Sequence, residues 1–115
     1  MKINKLIDNY FVLSNGVKIP SIGFGTWQIL NDVAYESVLN AIKVGYRHID
    51  TAFSYENEKG VGNAIKDCGI DRKELFITTK LPSHIKSYDE TIQYFNMSLE
   101  NLGLDYFVFL GLGVM

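Results

Sequence analysis

The chain has 115 residues and a net charge of −2, with 47% hydrophobic and 21% charged residues. This composition excludes an intrinsically disordered chain, and the length suffices for one domain with one core. The lysines and arginines are scattered between acids, so no nucleic-acid partner is expected. The longest apolar run, residues 107–115, is about half as long as a bilayer span, so no membrane partner is expected either.

The N-terminus and the cysteine content bear on the compartment. The first ten residues, "MKINKLIDNY", lack the apolar core and cleavage site of a signal peptide. Cys68 is the only cysteine, which excludes an internal disulfide and suits a reducing environment. We therefore expect a cytoplasmic protein.

The first element along the chain is a β-hairpin over residues 10–20. "FVLSNGVKIP" places Asn15-Gly16 between two short β-rich arms, as a type I′ turn requires. Pro20 stops the second arm from continuing as a central strand.

After the hairpin, strand and helix patterns alternate over residues 21–115. Strands are predicted at "SIGFG", "YRHID", "LFITTKL" and "DYFVFL", and helices at "NDVAYESVLNAIKVG", "ENEKGVGNAIKDCG" and "SYDETIQYFNMSLENLG". Asn31 or Asp32 is available to cap the first helix. In the third helix, Ser87 and Glu90 form a capping box. Its predicted buried stripe is Ile92, Phe95, Leu99 and Leu102.

This alternation, with strands roughly 25 to 30 residues apart, indicates βαβ units on a parallel sheet in a single α/β domain. Two architectures are compatible with it. One is a small doubly wound sheet, and the other is the opening part of a (β/α)₈ barrel.

In either architecture, function collects at the carboxyl ends of the strands. Those ends hold Gly25-Thr26-Trp27, Asp50 and Lys80, and Tyr55 follows Asp50 in the next loop. An acid, a lysine and a tyrosine are thus delivered to one face of the sheet.

Such a trio can make a general acid. A nearby lysine cation lowers the pKa of a phenol, and an aspartate keeps the lysine charged and aimed. The phenol can then protonate a carbonyl oxygen as it becomes an alkoxide. No side chain supplies hydride, so reduction would need a nicotinamide cofactor. On spacing alone, the same three residues are more often a solvated rim.

The remaining motifs indicate no further chemistry. "GFGTWQ", "GVGNAI" and "GLGVM" each contain G-x-G, but none has the third glycine of the dinucleotide fingerprint. His48 is interpreted as a packed or hydrogen-bonded core histidine. His84 has no clustered cysteine or carboxylate, so no metal site is predicted.

Three blocks of the sequence resemble the N-terminal part of the aldo-keto reductases, most closely the bacterial diketogluconate-reductase-like branch. They are "LSNGVKIPSIGFGTWQ", "AIKVGYRHIDTAFSYENEKGVGNAI" and "RKELFITTKL". The resemblance implies a (β/α)₈ barrel whose bottom is closed by the hairpin. It also implies that Tyr55 is the proton donor, tuned by Lys80 and Asp50.

The same resemblance implies a cofactor and a substrate class. Gly25, Thr26, Trp27 and Asp50 would line the nicotinamide end of an NADPH site, and Trp27 would also contribute to the substrate pocket. The implied reaction is the reversible reduction of a small aldehyde or ketone to an alcohol.

The sequence departs from the family pattern after Tyr106. The family's last residues of this strand include a catalytic histidine, and Gly113 stands at its place in "FVFLGLGVM". We therefore expect the first half of a barrel from a truncated or frame-shifted gene, weakly active or inactive by itself. A second hypothesis is a non-catalytic half-barrel that self-associates through its open sheet edges or pairs with another chain. A third is a small doubly wound binding module.

Overall fold

A computed structural model describes residues 10–12, 14, 16, 18–20 and 22–110, with side chains up to residue 107. The chain begins there with an antiparallel pair of strands, β1 (Tyr10–Val12) and β2 (Lys18–Pro20), in which Tyr10 lies opposite Pro20. Gly16 has a φ of +89°, the left-handed conformation that the predicted turn needs, while Asn15 lies outside the described residues. The hairpin expected over residues 10–20 is present.

The second sheet is parallel and follows the order of the chain. Its strands are β3 (Phe24–Gly25), β4 (His48–Asp50), β5 (Phe76–Lys80) and β6 (Val108–Leu110), each paired with the next. A doubly wound sheet reverses its strand order at a switch point, whereas a barrel adds strands in sequence. The observed order therefore has the pattern of a barrel segment, although the described residues do not close a barrel.

Three helices connect these strands: α1 (Asn31–Lys43), α2 (Glu58–Asp67) and α3 (Tyr88–Leu102). Short 3₁₀ turns occupy Phe53–Tyr55 and Arg72–Glu74. The prediction of four parallel strands and three helices is confirmed.

The cap predicted for α1 is wrong. Leu30 is the N-cap residue, and it makes no side-chain cap hydrogen bond. Asn31 lies one residue further on, and its side-chain oxygen accepts a hydrogen bond of 2.9 Å from the backbone N–H of Gly60 in α2. A contact between helices therefore takes the side chain that the local pattern assigned to the cap.

The cap of α3 is as predicted on its Ser87 side, where the hydroxyl accepts from the backbone N–H of Glu90 at 3.1 Å. The predicted buried stripe is wrong at Ile92, which is 43% exposed. The fully buried residues of this helix are Ser98 and Leu102. They lie in its C-terminal half, where α3 packs against α2, so Ile92 at the other end stays in solvent.

The core lies between the sheet and the helices. Its members are aliphatic: Val38 and Ile42 of α1, Ile49 of β4, Val61 and Ile65 of α2, Ile77 of β5, and Leu102 of α3. Because side chains alternate along a strand, the neighbours of Ile49 and Ile77 project from the opposite face of the sheet. That face carries polar residues: His48, Asp50, Thr78 and Lys80.

Candidate active site

An ion pair joins two of the predicted site residues across adjacent strands. The Nζ atom of Lys80 lies 3.0 Å from Oδ2 and 3.2 Å from Oδ1 of Asp50. Register explains the contact, because Asp50 lies opposite Thr78 and Lys80 comes two residues later on the same face. The side chain of Lys80 is 31% exposed and that of Asp50 is 32% exposed, so solvent can reach the pair.

Tyr55 reaches the same point from the turn that follows β4. Its backbone N–H donates to the carbonyl of Ala52, which closes the 3₁₀ turn, and Glu56 then takes a left-handed φ of +59°. The phenol oxygen lies 3.4 Å from Lys80 Nζ, and the ammonium sits 5.2 Å from the ring centroid. The structure thus brings together Asp50, Tyr55 and Lys80.

The surroundings of Lys80 keep it charged. Burial by itself would lower its pKa, but the hydrogen bond and negative charge of Asp50, with a contribution from Tyr55, outweigh burial and raise the pKa above 10.5. Lys80 is therefore an ammonium throughout the neutral range. It can act as a fixed positive charge beside the phenol.

The predicted cofactor residues divide into two kinds. Gly25 pairs with Asp50 across β3 and β4, and an added Cβ would meet no atom within 4 Å. Trp27 is 67% exposed. Thr26 is fully buried, and its hydroxyl donates to the carbonyl of Asp50 at 3.1 Å. Gly25 and Trp27 therefore offer surface to a ligand, whereas the side chain of Thr26 holds the loop to the strand.

Asn57 is a supporting residue that the sequence patterns did not single out. It is fully buried, and its amide nitrogen donates to the carbonyls of Thr26 and Ile29 at 2.8 and 2.9 Å. Its oxygen accepts from the hydroxyl of Thr51 at 2.9 Å. Asn57 thus ties the loop that carries Trp27 to the end of β4. These partners are distant in sequence, so no local motif indicates them.

Thr78 is a second residue of the site that the sequence patterns did not single out. Its hydroxyl donates to Oδ1 of Asp50 at 2.5 Å, and the Nε2 atom of His48 lies 3.4 Å from the same hydroxyl oxygen. The signal was available, because residues two apart on a strand share a face and Thr78 precedes Lys80 by two.

His48 is half-buried, as the interpretation of a packed histidine expects, with its ring edge-on to Phe76. Burial lowers its pKa below 6.5, with the positive charge of Lys80 acting in the same direction. The charge of Asp50 and a hydrogen bond to the backbone of Pro20 oppose this shift. His48 is therefore neutral at pH 7.

Three further expectations from the sequence concern Gly113, metal ligands and membrane-spanning helices. Gly113 lies outside the described residues. In the part of the chain that the structure covers, no group of three or more His, Cys, Asp or Glu side chains could hold a metal ion. None of the three helices combines the length and apolar character that crossing a bilayer requires, within those same residues.

Known proteins resemble this chain over most of its length. The family model for the aldo/keto reductase family matches residues 21–110. The NADP(+)-dependent glycerol 2-dehydrogenase of Saccharomyces cerevisiae is 52% identical over 94 residues, which are 82% of this chain and 30% of the yeast enzyme.

Two solved structures share its fold. A crystal structure of an aldo/keto reductase from Brucella melitensis superposes with a TM-score of 0.85 at 48% identity, covering 88% of this chain and 39% of that one. The Bombyx mori aldo-keto reductase in complex with NADP superposes with a TM-score of 0.80 at 37% identity, covering 85% and 35%.

The chain thus spans about a third of the length of the relatives it matches. The resemblance inferred from the three sequence blocks is confirmed, and with it the assignment to a barrel and not to a doubly wound sheet. The chain belongs to the aldo/keto reductase family.

Proposed function

We propose that this chain carries the proton-donating part of an NADPH-dependent reductase that converts small aldehydes or ketones to alcohols. One observation carries the proposal: Tyr55, Lys80 and Asp50 converge at the carboxyl ends of parallel strands, with Lys80 in hydrogen-bond reach of both Tyr55 and Asp50. The NADP(+) dependence of the yeast relative and the NADP bound to the Bombyx mori relative support the choice of cofactor.

The residues present suit the reacting end of such a cofactor. Gly25 pairs with Asp50 and has open space over it, and the indole of Trp27 two residues later is exposed, so a flat ring has surface to lie on. Gly25, Trp27 and Asp50 would hold the nicotinamide, with Thr26 fixing their loop from behind. When bound, the nicotinamide supplies the hydride.

The chain's own residues supply the proton and stabilise the negative charge that its transfer leaves behind. The Tyr55 hydroxyl donates its proton to the carbonyl oxygen of the substrate as that oxygen becomes an alcohol. The Lys80 ammonium donates a hydrogen bond to the phenol oxygen, so negative charge left on Tyr55 meets a fixed cation. Asp50 keeps that ammonium in place.

The solvent exposure of the ion pair limits the catalytic rate that we expect from this chain. About a third of each side chain of the ion pair is exposed, so water has access to it. Electrostatic stabilisation is weaker in such a site than in a dry one. We propose that this chain alone turns over slowly or not at all. Because Cys68 is a free thiol, we also propose that it works in the cytoplasm.

The test is Tyr55→Phe. We expect NADPH-dependent reduction of an aldehyde to fall by ~10²–10⁴-fold, because the proton donor is gone. NADPH binding, followed through the fluorescence of Trp27, should persist. Tyr35→Phe is the matched control, since its hydroxyl bonds Asp67 on the outer helices at 2.6 Å. Wild-type turnover in Tyr55→Phe, or an equal loss in Tyr35→Phe, would contradict the proposal.

The sheet edges favour a second candidate, a half-barrel that associates with a second copy. β3 and β6 are the outer strands of the four-stranded sheet within the described residues. Two copies related by a twofold axis along the barrel could pair β3 of one with β6 of the other, giving eight parallel strands. This association would also cover the polar face that bears Tyr55 and Lys80.

A further inference from the structure

Four polar side chains form a compact group on one face of β4 and β5. His48 and Asp50 lie two residues apart on β4, and Thr78 and Lys80 lie two apart on β5. In the strand register Thr78 is directly opposite Asp50, and Lys80 is its diagonal neighbour. Thr78 is 3% exposed, so its hydroxyl must find its partners within this group.

The hydroxyl of Thr78 has one proton, and the geometry fixes where it goes. An ionised carboxylate only accepts hydrogen bonds, so in the 2.5 Å contact Thr78 is the donor and Asp50 Oδ1 the acceptor. The threonine proton is therefore committed to Asp50, and the Nε2 atom of His48 lies 3.4 Å from the same hydroxyl oxygen.

Oδ1 of Asp50 also accepts from Lys80 at 3.2 Å, and Oδ2 accepts at 3.0 Å. The terminal torsion of an aspartate is broad, so a carboxylate held only by a flexible lysine could rotate. The additional hydrogen bond from Thr78 to Oδ1 restricts that rotation. We propose that Thr78 is a positioning residue: its hydroxyl locks the Asp50 carboxylate so that the Lys80 ammonium stays beside Tyr55.

The neighbouring threonine offers a matched comparison. Thr79 is also fully buried on β5, but it faces the helices, where its hydroxyl donates to Glu58 of α2 at 2.6 Å. Thr78→Val and Thr79→Val make the same chemical change one residue apart. Both remove a hydroxyl that donates to a carboxylate and both loosen β5, but only the first touches Asp50.

The experiment follows the Lys80 ammonium by NMR in chain labelled with ¹⁵N-lysine, with Lys80→Met assigning the signal. An ammonium held by a fixed carboxylate exchanges its protons slowly with water. We expect Thr78→Val to speed this exchange by roughly 10- to 100-fold, the range expected for a lost hydrogen bond to a charged group. Thr78→Ser, which keeps the hydroxyl, and Thr79→Val should both stay close to wild type.

The catalytic consequence rests on the proposed reductase function, and the two can fail separately. If wild-type chain turns over NADPH, Thr78→Val should lower kcat with KM for NADPH unchanged, because a loosened carboxylate holds the Lys80 ammonium less firmly beside Tyr55. A slowly exchanging Lys80 signal without any turnover would defeat the reductase proposal and leave the positioning role intact.

Three results would overturn the positioning role. The first is wild-type exchange of Lys80 in Thr78→Val. The second is an equal acceleration in Thr79→Val, which would assign the effect to general loosening of the strand. The third is fast exchange in the wild-type chain itself, because the ammonium would then not be held at all.

Discussion

Asn57 shows how one side chain outside the catalytic trio can hold a candidate site together. All three of its strong hydrogen bonds are made to groups at the carboxyl ends of β3 and β4, and it is completely shielded from water. An unpaired polar group at this depth costs free energy, so the amide can be replaced only by a group with the same donors and acceptor. Few of the twenty side chains combine two donor hydrogens with an acceptor oxygen on a side chain as short as that of asparagine.

Asn57→Asp tests this directly. The substitution puts a carboxylate oxygen against two carbonyl oxygens, so we expect the free energy of unfolding to fall by roughly 3 to 5 kcal/mol at pH 7. The deficit should shrink as pH falls toward about 4, because burial against carbonyl oxygens raises the pKa of the new carboxyl group above its unfolded value, and the protonated group can donate one bond. Urea unfolding followed through the fluorescence of Trp27 measures both effects.

Asn63→Asp is the control, because Asn63 is an exposed residue of the same helix. It changes the charge of the chain equally without disturbing a buried bond, and it should leave stability nearly unchanged. If the two variants unfolded at the same urea concentration, the buried bonds of Asn57 would not be stabilising the loop.

At the scale of elements, the helix packing depends on two glycines that look like part of a dinucleotide motif. Gly60 and Gly62 of "GVG" lie in α2. A Cβ on Gly60 would collide with the backbone carbonyl of Asn31 in α1, and one on Gly62 with that of Leu102 in α3. These glycines therefore allow three helix backbones to approach closely.

Gly62→Ala separates helix propensity from packing. Alanine is better than glycine inside a helix by about 1 kcal/mol, so propensity alone predicts a more stable chain. Because the new methyl group meets rigid backbone of Leu102, we expect instead a net loss of roughly 1–3 kcal/mol, measured by urea unfolding. Asn63→Ala, on the exposed face of α2, should be neutral or slightly stabilising. A stabilised Gly62→Ala chain would show that α2 and α3 can move apart freely.

The sequence predicted these elements correctly where residues close together in the chain determine the structure. The Ser87 cap and the left-handed Gly103 at +67° mark the ends of α3 within a few residues of chain. Asn31 and Ile92 were assigned wrongly because their surroundings depend on where α2 lies. At the site, alternation and strand ends predicted Asp50 and Lys80. The same alternation places Thr78 on the face of Lys80, whereas Asn57 required the path of the Trp27 loop, which no single segment encodes.

At the scale of the whole molecule, the outer edge of the four-stranded sheet directs backbone hydrogen-bonding groups away from its neighbouring strand. The N–H of Thr26 donates to the carbonyl of Asp50 at 3.0 Å. Since successive residues of a parallel strand direct their backbone groups to opposite sides, the N–H of Gly25 points away from β4. An unpaired strand edge of this kind is a template for another strand, and β3 has no charged side chain to block it.

Gly25→Pro tests whether that edge mediates association. Proline removes the outward N–H while leaving the β3–β4 hydrogen bonds intact, because it is tolerated on an edge strand whose N–H faces outward. We expect the wild-type chain to show twice the monomer mass by light scattering as concentration rises, and Gly25→Pro to remain monomeric. Gly25→Ala keeps the N–H, and its methyl group meets no atom within 4 Å, so it should associate like wild type. A monomeric wild-type chain at every concentration would rule out the paired half-barrel, whereas association that survives proline would move the interface away from β3.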